Sequence, residues 1–491
     1  MHQPFAIILF GATGDLAHRK LIPALYSLLV KGEIAADMVV VGVGRRQLST
    51  DEFRADMEQT LRDRFGPVFN VKAWKKLADH MDYQQGFFED ATLYASLAAR
   101  LETIDKKQNT ALWRFFYLAT PPEHYETILR FLGTSGLAKG GGDGLTHVAR
   151  ILIEKPFGKD LKTAQELERL LAKIFKEEQI YRIDHYLGKE TVQNILSFRF
   201  ANGIFEPTWN SGFIDHVQIA LLEEEGVGAR GTFYDGVGAL RDVVQNHVLQ
   251  MLAVTAMDQP RAFDAMSIRD ERAKVLASIE CIEPNDVMAK TVRGQYDGYR
   301  KVDHIDPASK TETYVGLKLH IDSSRWKGVP FYLRTGKKLG ASVAEISIHY
   351  KKPVVCMGEI CLFPEESVLR NVLSIRIQPD DGISVRLMVK KPGFGMKLTS
   401  TQMNFHYRDA FPDFEQPEAY EKLLIDAMSG DQMLFARTDG VLASWQVVTK
   451  ILAGWSEQKA PLYPYAVGSM GPPEADTFIK RDGRHWFVHT D

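Results

Sequence analysis

Six consecutive apolar residues, Phe5 to Phe10, open the chain, which then turns at once through Gly11-Ala12-Thr13-Gly14-Asp15-Leu16. A helical pattern follows through Leu25 and Leu29 and stops at Gly32. An apolar run without polar alternation suits a strand buried on both faces, and glycine directly after it permits a tight strand-to-helix turn. This stretch restricts the fold more than any other, because a parallel strand needs a crossover, usually a helix, to bring the chain back to its sheet. The first third repeats the unit, with strands predicted at Met38 to Val43, Leu112 to Ala119 and Val148 to Ile153. Between them, Ser49 with Glu52 predicts a capping box, and Leu161, Ala164, Leu167, Leu171 and Ile174 form one helical stripe.

Past about residue 180 the pattern changes. Apolar and polar residues alternate in Tyr314 to Ile321, Ala344 to Tyr350, Val372 to Ile377 and Ile383 to Val389, and Pro379-Asp380-Asp381-Gly382 reads as a turn between antiparallel neighbours. Helical stretches at 233 to 257, 416 to 430 and 438 to 456 can cover one face. The predicted fold is therefore α/β plus α+β: a Rossmann-like parallel-sheet domain over residues 1–180, then a larger domain over 181–491 with a mainly antiparallel sheet covered by helices. At 491 residues two cores are the default expectation. The stretch Gly140 to Gly144 is expected to be a surface loop without chemistry, since no strand and helix bracket it as a phosphate cradle.

With 60 basic and 63 acidic residues the formal charge is −3, which gives no global field to draw nucleic acid or an anionic membrane. Any phosphate recognition must be local. Cys281, Cys356 and Cys361 are odd in number and show no Cys-x-x-Cys spacing, so neither a disulfide framework nor a metal site is expected. The N-terminal apolar run is too short to span a membrane and lacks a basic start, so a cytoplasmic location is expected.

The glycine turn can let a pyrophosphate approach the helix N-terminus, with Gly11, Thr13, Gly14, Asp15 and Leu16 as the cofactor-binding candidates. It is not a full G-x-G-x-x-G, and a glycine turn before a helix is structural about as often as not. The second strand adds a signal in register, for Arg45-Arg46 follow it where an NAD site usually carries an acid. Arginine suits a ribose 2′-phosphate, so NADP is expected, although an isolated basic pair is more often a solvated loop.

After the strand at Val148 comes Glu154-Lys155-Pro156, which places a lysine at the carboxyl edge of the sheet, where open α/β folds bind ligands. Lys155 could donate to a sugar hydroxyl or to the nicotinamide ribose. The proline could hold the turn, with a cis bond as one option. Denser still is Arg182-Ile183-Asp184-His185-Tyr186-Leu187-Gly188-Lys189-Glu190. Its His185, Tyr186 and Lys189 together offer the ring N–H, phenol and ammonium donors that a phosphate dianion needs. Any one of them alone is more often a packing residue than a ligand.

This nonapeptide resembles the signature of the glucose-6-phosphate dehydrogenases. Arg199-Phe200-Ala201-Asn202, Arg241 to His247, Ile268-Arg269-Asp270-Glu271, Val292 to Tyr296 and Val329-Pro330-Phe331 follow in the family's order. The resemblance runs from residue 5 to the C-terminus. It implies NADP-dependent oxidation of glucose 6-phosphate at C1 to the 6-phospho-lactone, the first step of the oxidative pentose phosphate pathway, by a homodimer or homotetramer. It further implies His247 as general base with Asp184 as its partner, and Glu223 and Asp242 on sugar hydroxyls. His185, Tyr186 and Lys189 would hold the phosphate, Lys337 and Lys155 would touch the sugar, and Arg45 would carry the 2′-phosphate. On an α-helix the five-residue offset turns Asp242 away from His247, which also favours Asp184. One departure is Ser342, where the family usually carries a base, and no accessory NADP site is expected. Two other readings are a sugar oxidoreductase on an unphosphorylated aldose, which has no need of the donor cluster, and a silent NADP sensor, which would have no need of Asp184 and His247.

Overall fold

The structure is a computed structural model that describes residues 4–139, 149–357, 360–413 and 415–488. The expected loop at Gly140 to Gly144 lies outside the described residues.

The chain separates into two compact units, Met1–Gly188 with Ala262–Arg269 and Pro417–Val441, and the remainder from Lys189 onward. The first unit is built on β1 (Phe5–Phe10), β2 (Val39–Gly44), β3 (Met81–Gln85), β4 (Trp113–Leu118), β5 (Ala149–Glu154) and β6 (Ile180–Ile183). Their order is β3-β2-β1-β4-β5-β6 and every pair is parallel. All six residues of β1 are buried, as a central strand covered on both faces must be. Strand order reverses between β1 and β4, the switch point at which such sheets bind ligands.

Gly11 sits at that point with φ +86°, and a Cβ there would come 2.5 Å from the Ala119 carbonyl oxygen. Only glycine lets the turn pass so close to the end of β4. The following helix begins with a π-helical turn, Ala17–Leu21, and ends at Gly32 in the left-handed region. The Ser49–Glu52 capping box forms as expected.

The junction expected at residue 180 cuts the unit short. β6 is its sixth strand, and the first continuous stretch of the unit runs on to Gly188. The reason is a buried arginine that no periodicity marks. Arg182, on β6, donates to Glu168 at 2.9 and 2.6 Å, to Glu177 at 2.9 Å and to Thr438 Oγ1 at 2.8 Å. It thereby ties Pro417–Val441 to the parallel sheet. Leaving such a guanidinium without its carboxylates costs about 3–5 kcal/mol.

The second unit carries β7 (Ile214–Leu222), β8 (Thr291–Tyr296), β9 (Tyr314–Leu319), β10 (Phe331–Gly336), β11 (Val343–Tyr350), β14 (Val372–Gln378), β15 (Gly382–Lys390), β16 (Leu398–His406) and β17 (Tyr463–Tyr465), with the hairpin β12 (Cys356–Met357) and β13 (Ile360–Cys361) apart from them. The large sheet runs β16-β15-β14-β11-β7-β10-β9-β8-β17. Its neighbours are antiparallel except β7 with β10 and β8 with β17. The sequence anticipated β9, β11, β14 and β15. It did not anticipate β7 and β10, both buried nearly throughout.

The helical stretch expected at 233 to 257 is broken into Gly231–Asp235, a π-helix Leu240–Val248 and Leu249–Ala256. One cysteine expectation is overturned, for Cys356 and Cys361 are disulfide-bonded. They face each other across the β12–β13 hairpin, a local bridge five residues apart that Cys-x-x-Cys rules do not describe. Among the described residues no helix is long and apolar enough to cross a membrane.

Candidate active site

In the first unit a cleft of about 430 Å³ opens at the carboxyl ends of β1, β2 and β4, lined by Gly11, Thr13, Gly14, Arg45, Arg46 and Thr120 among others. Tyr83 on β3 donates from its hydroxyl to the Arg46 carbonyl at 2.8 Å, which fixes the loop while both arginine side chains remain exposed. Asp15 and Leu16 do not line the cleft. Asp15 follows the first helical turn outward and pairs with Arg19 at 2.7 Å. Phe88, Thr120 and His124 do line it and escaped the sequence reading. The rule that ligands gather at the carboxyl edge could have found Thr120, just past β4.

The end of β5 is more constrained. The Lys155–Pro156 bond is cis, and Glu154 before it is buried. Tyr117 and Tyr420 donate from their hydroxyls to Glu154 Oε1 at 2.6 and 3.1 Å, and Tyr125 donates to the Glu154 carbonyl at 2.9 Å. Burial raises the Glu154 carboxyl to about 7, with the two phenols and Lys155 opposing and Asp184 adding to the rise. Between the ordinary value of 4.5 and about 7 the folded state binds more protons than the unfolded, so stability falls as pH rises through that window. Glu154→Gln removes the titration. The variant is expected to gain on the native protein by up to about 3 kcal/mol between roughly pH 4.5 and pH 7.5, read from unfolding curves at the two pH values.

Beyond β6 the chain makes a tight turn in which the Tyr186 N–H donates to Asp184 Oδ1 at 3.0 Å. Asp184 and Tyr186 are buried, and the His185 ring lies 5.0 Å from that of Tyr186. The expected trio divides here. His185 and Tyr186 end the first unit, and Lys189 begins the second. Lys189 Nζ donates to Gln378 Oε1 at 2.6 Å. It also faces Asp381, whose carboxyl burial raises while Thr191 and Lys189 oppose.

In the second unit the parallel register Gly336↔Leu222 sends the next residues of both strands out side by side. Lys337 Nζ consequently meets Glu223 Oε2 at 2.6 Å, with the Tyr465 hydroxyl holding the Lys337 carbonyl at 2.7 Å. Asp242 and His247, both buried, lie on the π-helix. The α-helical argument that set them on different faces is corrected by this geometry. In a π-helix residues i and i+5 are joined by a hydrogen bond and lie roughly above one another. Asp242 accepts from Arg230 Nη2 at 3.3 Å, a contact that nothing in the spacing signals. His247 is anchored through its backbone N–H to Asn246 Oδ1 at 2.7 Å. Ser342, at the position where a base was anticipated, accepts from the Glu224 N–H at 3.0 Å and so braces the backbone beside Glu223. Among the described residues no cluster of His, Cys, Asp or Glu is arranged to hold a metal ion.

A doubly wound parallel sheet with a glycine turn at its switch point has the architecture of a dinucleotide-binding domain. Residues 8–194 match the model of the glucose-6-phosphate dehydrogenase NAD binding domain, and residues 196–487 match that of the family's C-terminal domain. The chain belongs to the glucose-6-phosphate dehydrogenase family. It is 43% identical over 498 residues to the glucose-6-phosphate 1-dehydrogenase of Chlamydia muridarum, covering 98% of this chain and 96% of that protein. It is 44% identical over 493 residues to the enzyme of Aggregatibacter actinomycetemcomitans, with the same coverage. A solved glucose-6-phosphate dehydrogenase in complex with its substrate glucose-6-phosphate superposes with a TM-score of 0.89, at 31% identity over 99% of both chains.

Proposed function

We propose that this protein oxidises D-glucose 6-phosphate at C1 to 6-phospho-D-glucono-1,5-lactone with formation of NADPH, in the cytoplasm, and that it works as a homodimer or homotetramer through its large sheet. The observation that carries the reading is the buried imidazole of His247 in a unit that also presents the Glu223–Lys337 pair and Asp242.

The residues of the glycine turn fit a dinucleotide. Gly11 lets the turn pass where a Cβ would collide with the Ala119 carbonyl oxygen, and Gly11, Thr13 and Gly14 line the cleft together with Arg45 and Arg46, with no acid at the end of β2. NADP, when bound, supplies the hydride acceptor. Gly11, Thr13 and Gly14 receive the pyrophosphate and Arg45 with Arg46 the 2′-phosphate, while Lys155 serves the sugar and the adjacent ribose. His247 takes the proton of the C1 hydroxyl, a task suited to a group that titrates near neutrality. Asp184 orients that imidazole and stabilises its charged form. Glu223 and Asp242 accept hydrogen bonds from sugar hydroxyls, Lys337 donates one, and His185, Tyr186 and Lys189 bind the phosphate.

The test is cofactor reduction followed at 340 nm, with glucose 6-phosphate or glucose, each with NADP or NAD. Glucose 6-phosphate with NADP is expected to be the best pair, and preference for glucose would refute the reading. Arg45→Ala is expected to raise the KM for NADP on the order of tenfold to a hundredfold and to leave that for NAD in place. Equal KM values for the variant and the native protein with both cofactors would remove Arg45 from the 2′-phosphate.

A further inference from the structure

Glu154 is a buried carboxylate with no part in the chemistry described above, and burying it is costly. An apolar residue at the end of β5 would avoid the several kcal/mol that desolvating a carboxylate demands. The groups facing it come from four elements: Tyr117 on β4, Tyr125 on the helix Tyr125–Thr134, Tyr420 on the helix Ala419–Ser429, and Asp184 after β6, with Lys155 next in the chain. Two phenols end on one oxygen, Oε1. The Tyr420 side chain is therefore pinned at both ends, by its helix and by Glu154.

What Tyr420 does with that rigidity is visible on its other side. Its ring lies nearly parallel to that of His185, 14° between planes and 6.2 Å between centroids. The same helix touches the turn a second time, because a Cβ at Gly188 would come 2.9 Å from the Ala419 carbonyl oxygen. The helix start is thus a platform beneath the turn that carries His185 and Tyr186.

We propose that Glu154 and Tyr420 are positioning residues for recognition of the substrate's phosphate. Glu154 holds the Tyr420 phenol, and the Tyr420 ring holds the imidazole of His185 in the plane from which it donates to the phosphate. An imidazole fixed before binding loses less rotamer freedom on contact, so the effect appears as affinity. The proposal rests on the reading of His185 as a phosphate ligand, and the experiment separates the two.

The variants are Tyr420→Phe, which keeps the ring and loses the hydroxyl, Glu154→Leu, which loses the acceptor, Glu154→Gln, which keeps an acceptor oxygen, and His185→Ala. Steady-state kinetics give kcat and the KM values for glucose 6-phosphate and NADP. Tyr420→Phe and Glu154→Leu are expected to raise the KM for glucose 6-phosphate on the order of tenfold, with kcat within about twofold and the KM for NADP in place. Glu154→Gln is expected to recover most of that loss. A purely structural role would lower the active fraction, and hence kcat, without moving this KM. If Glu154→Leu does not fold, Tyr420→Phe decides. Should His185→Ala raise the KM while Tyr420→Phe does not, the positioning role is overturned and the phosphate ligand stands. An unchanged KM in His185→Ala overturns both.

Discussion

Replacement of His247 by asparagine is expected to lower kcat roughly a hundredfold to ten-thousandfold, with the KM values for glucose 6-phosphate and NADP within a few-fold of those of the native protein. The proton of the C1 hydroxyl is transferred in the transition state, so its acceptor contributes to turnover more than to binding. Asparagine keeps a polar group of similar reach in a buried position on the π-helix Leu240–Val248, and the backbone bond from residue 247 to Asn246 Oδ1 does not depend on the imidazole. Steady-state kinetics with both substrates varied check this. A kcat equal to that of the native protein would remove His247 as the base.

The second large effect concerns binding. Lys189→Ala is expected to raise the KM for glucose 6-phosphate on the order of a hundredfold, while the KM for NADP stays in place. The ammonium is preplaced by Gln378, at 2.6 Å, at the N-terminal boundary of the helix Glu190–Phe200. In the proposed phosphate site it would therefore meet a dianion without first being ordered. Turnover of unphosphorylated glucose supplies the control, since that substrate has nothing for Lys189 to bind and is expected to be oxidised by the variant and the native protein alike. A KM for glucose 6-phosphate unchanged by the substitution would take Lys189 out of the phosphate site.

The parts of the molecule that the sequence discloses are those set by local chemistry. The run Phe5 to Phe10, the glycine turn and the stop at Gly32 all describe one strand, one turn and one helix, each fixed within a few residues. The capping box at Ser49 is local in the same way. Candidate residues were legible as a set because the glucose-6-phosphate dehydrogenase signature places them in order. Their geometry was not. Glu223 and Lys337 meet only because β7 and β10 run parallel in a sheet otherwise largely antiparallel, a pairing between strands more than a hundred residues apart.

Other features lie beyond any periodicity. A π-helix has the composition of an α-helix, so the change in the relation of Asp242 to His247 could not be read from a 3.6-residue period. Arg182 looks like a signature residue of unknown role until its buried partners Glu168, Glu177 and Thr438 appear. Asp15 was grouped with the cofactor residues by position in the turn, yet it pairs with Arg19 at the surface. Glu154 shows the same gap from the other side, because three tyrosines from separate elements, none near it in sequence, decide what its carboxyl does.

In the proposed site one sugar phosphate is gripped by His185, Tyr186 and Lys189 while its C1 hydroxyl is served by His247. A crystal structure of the protein with glucose 6-phosphate bound tests it most directly. The expected result has the phosphate oxygens within hydrogen-bond reach of those three side chains and the C1 oxygen about 3 Å from a ring nitrogen of His247. A substrate bound with its phosphate on other residues, or with C1 out of reach of that imidazole, would contradict the account.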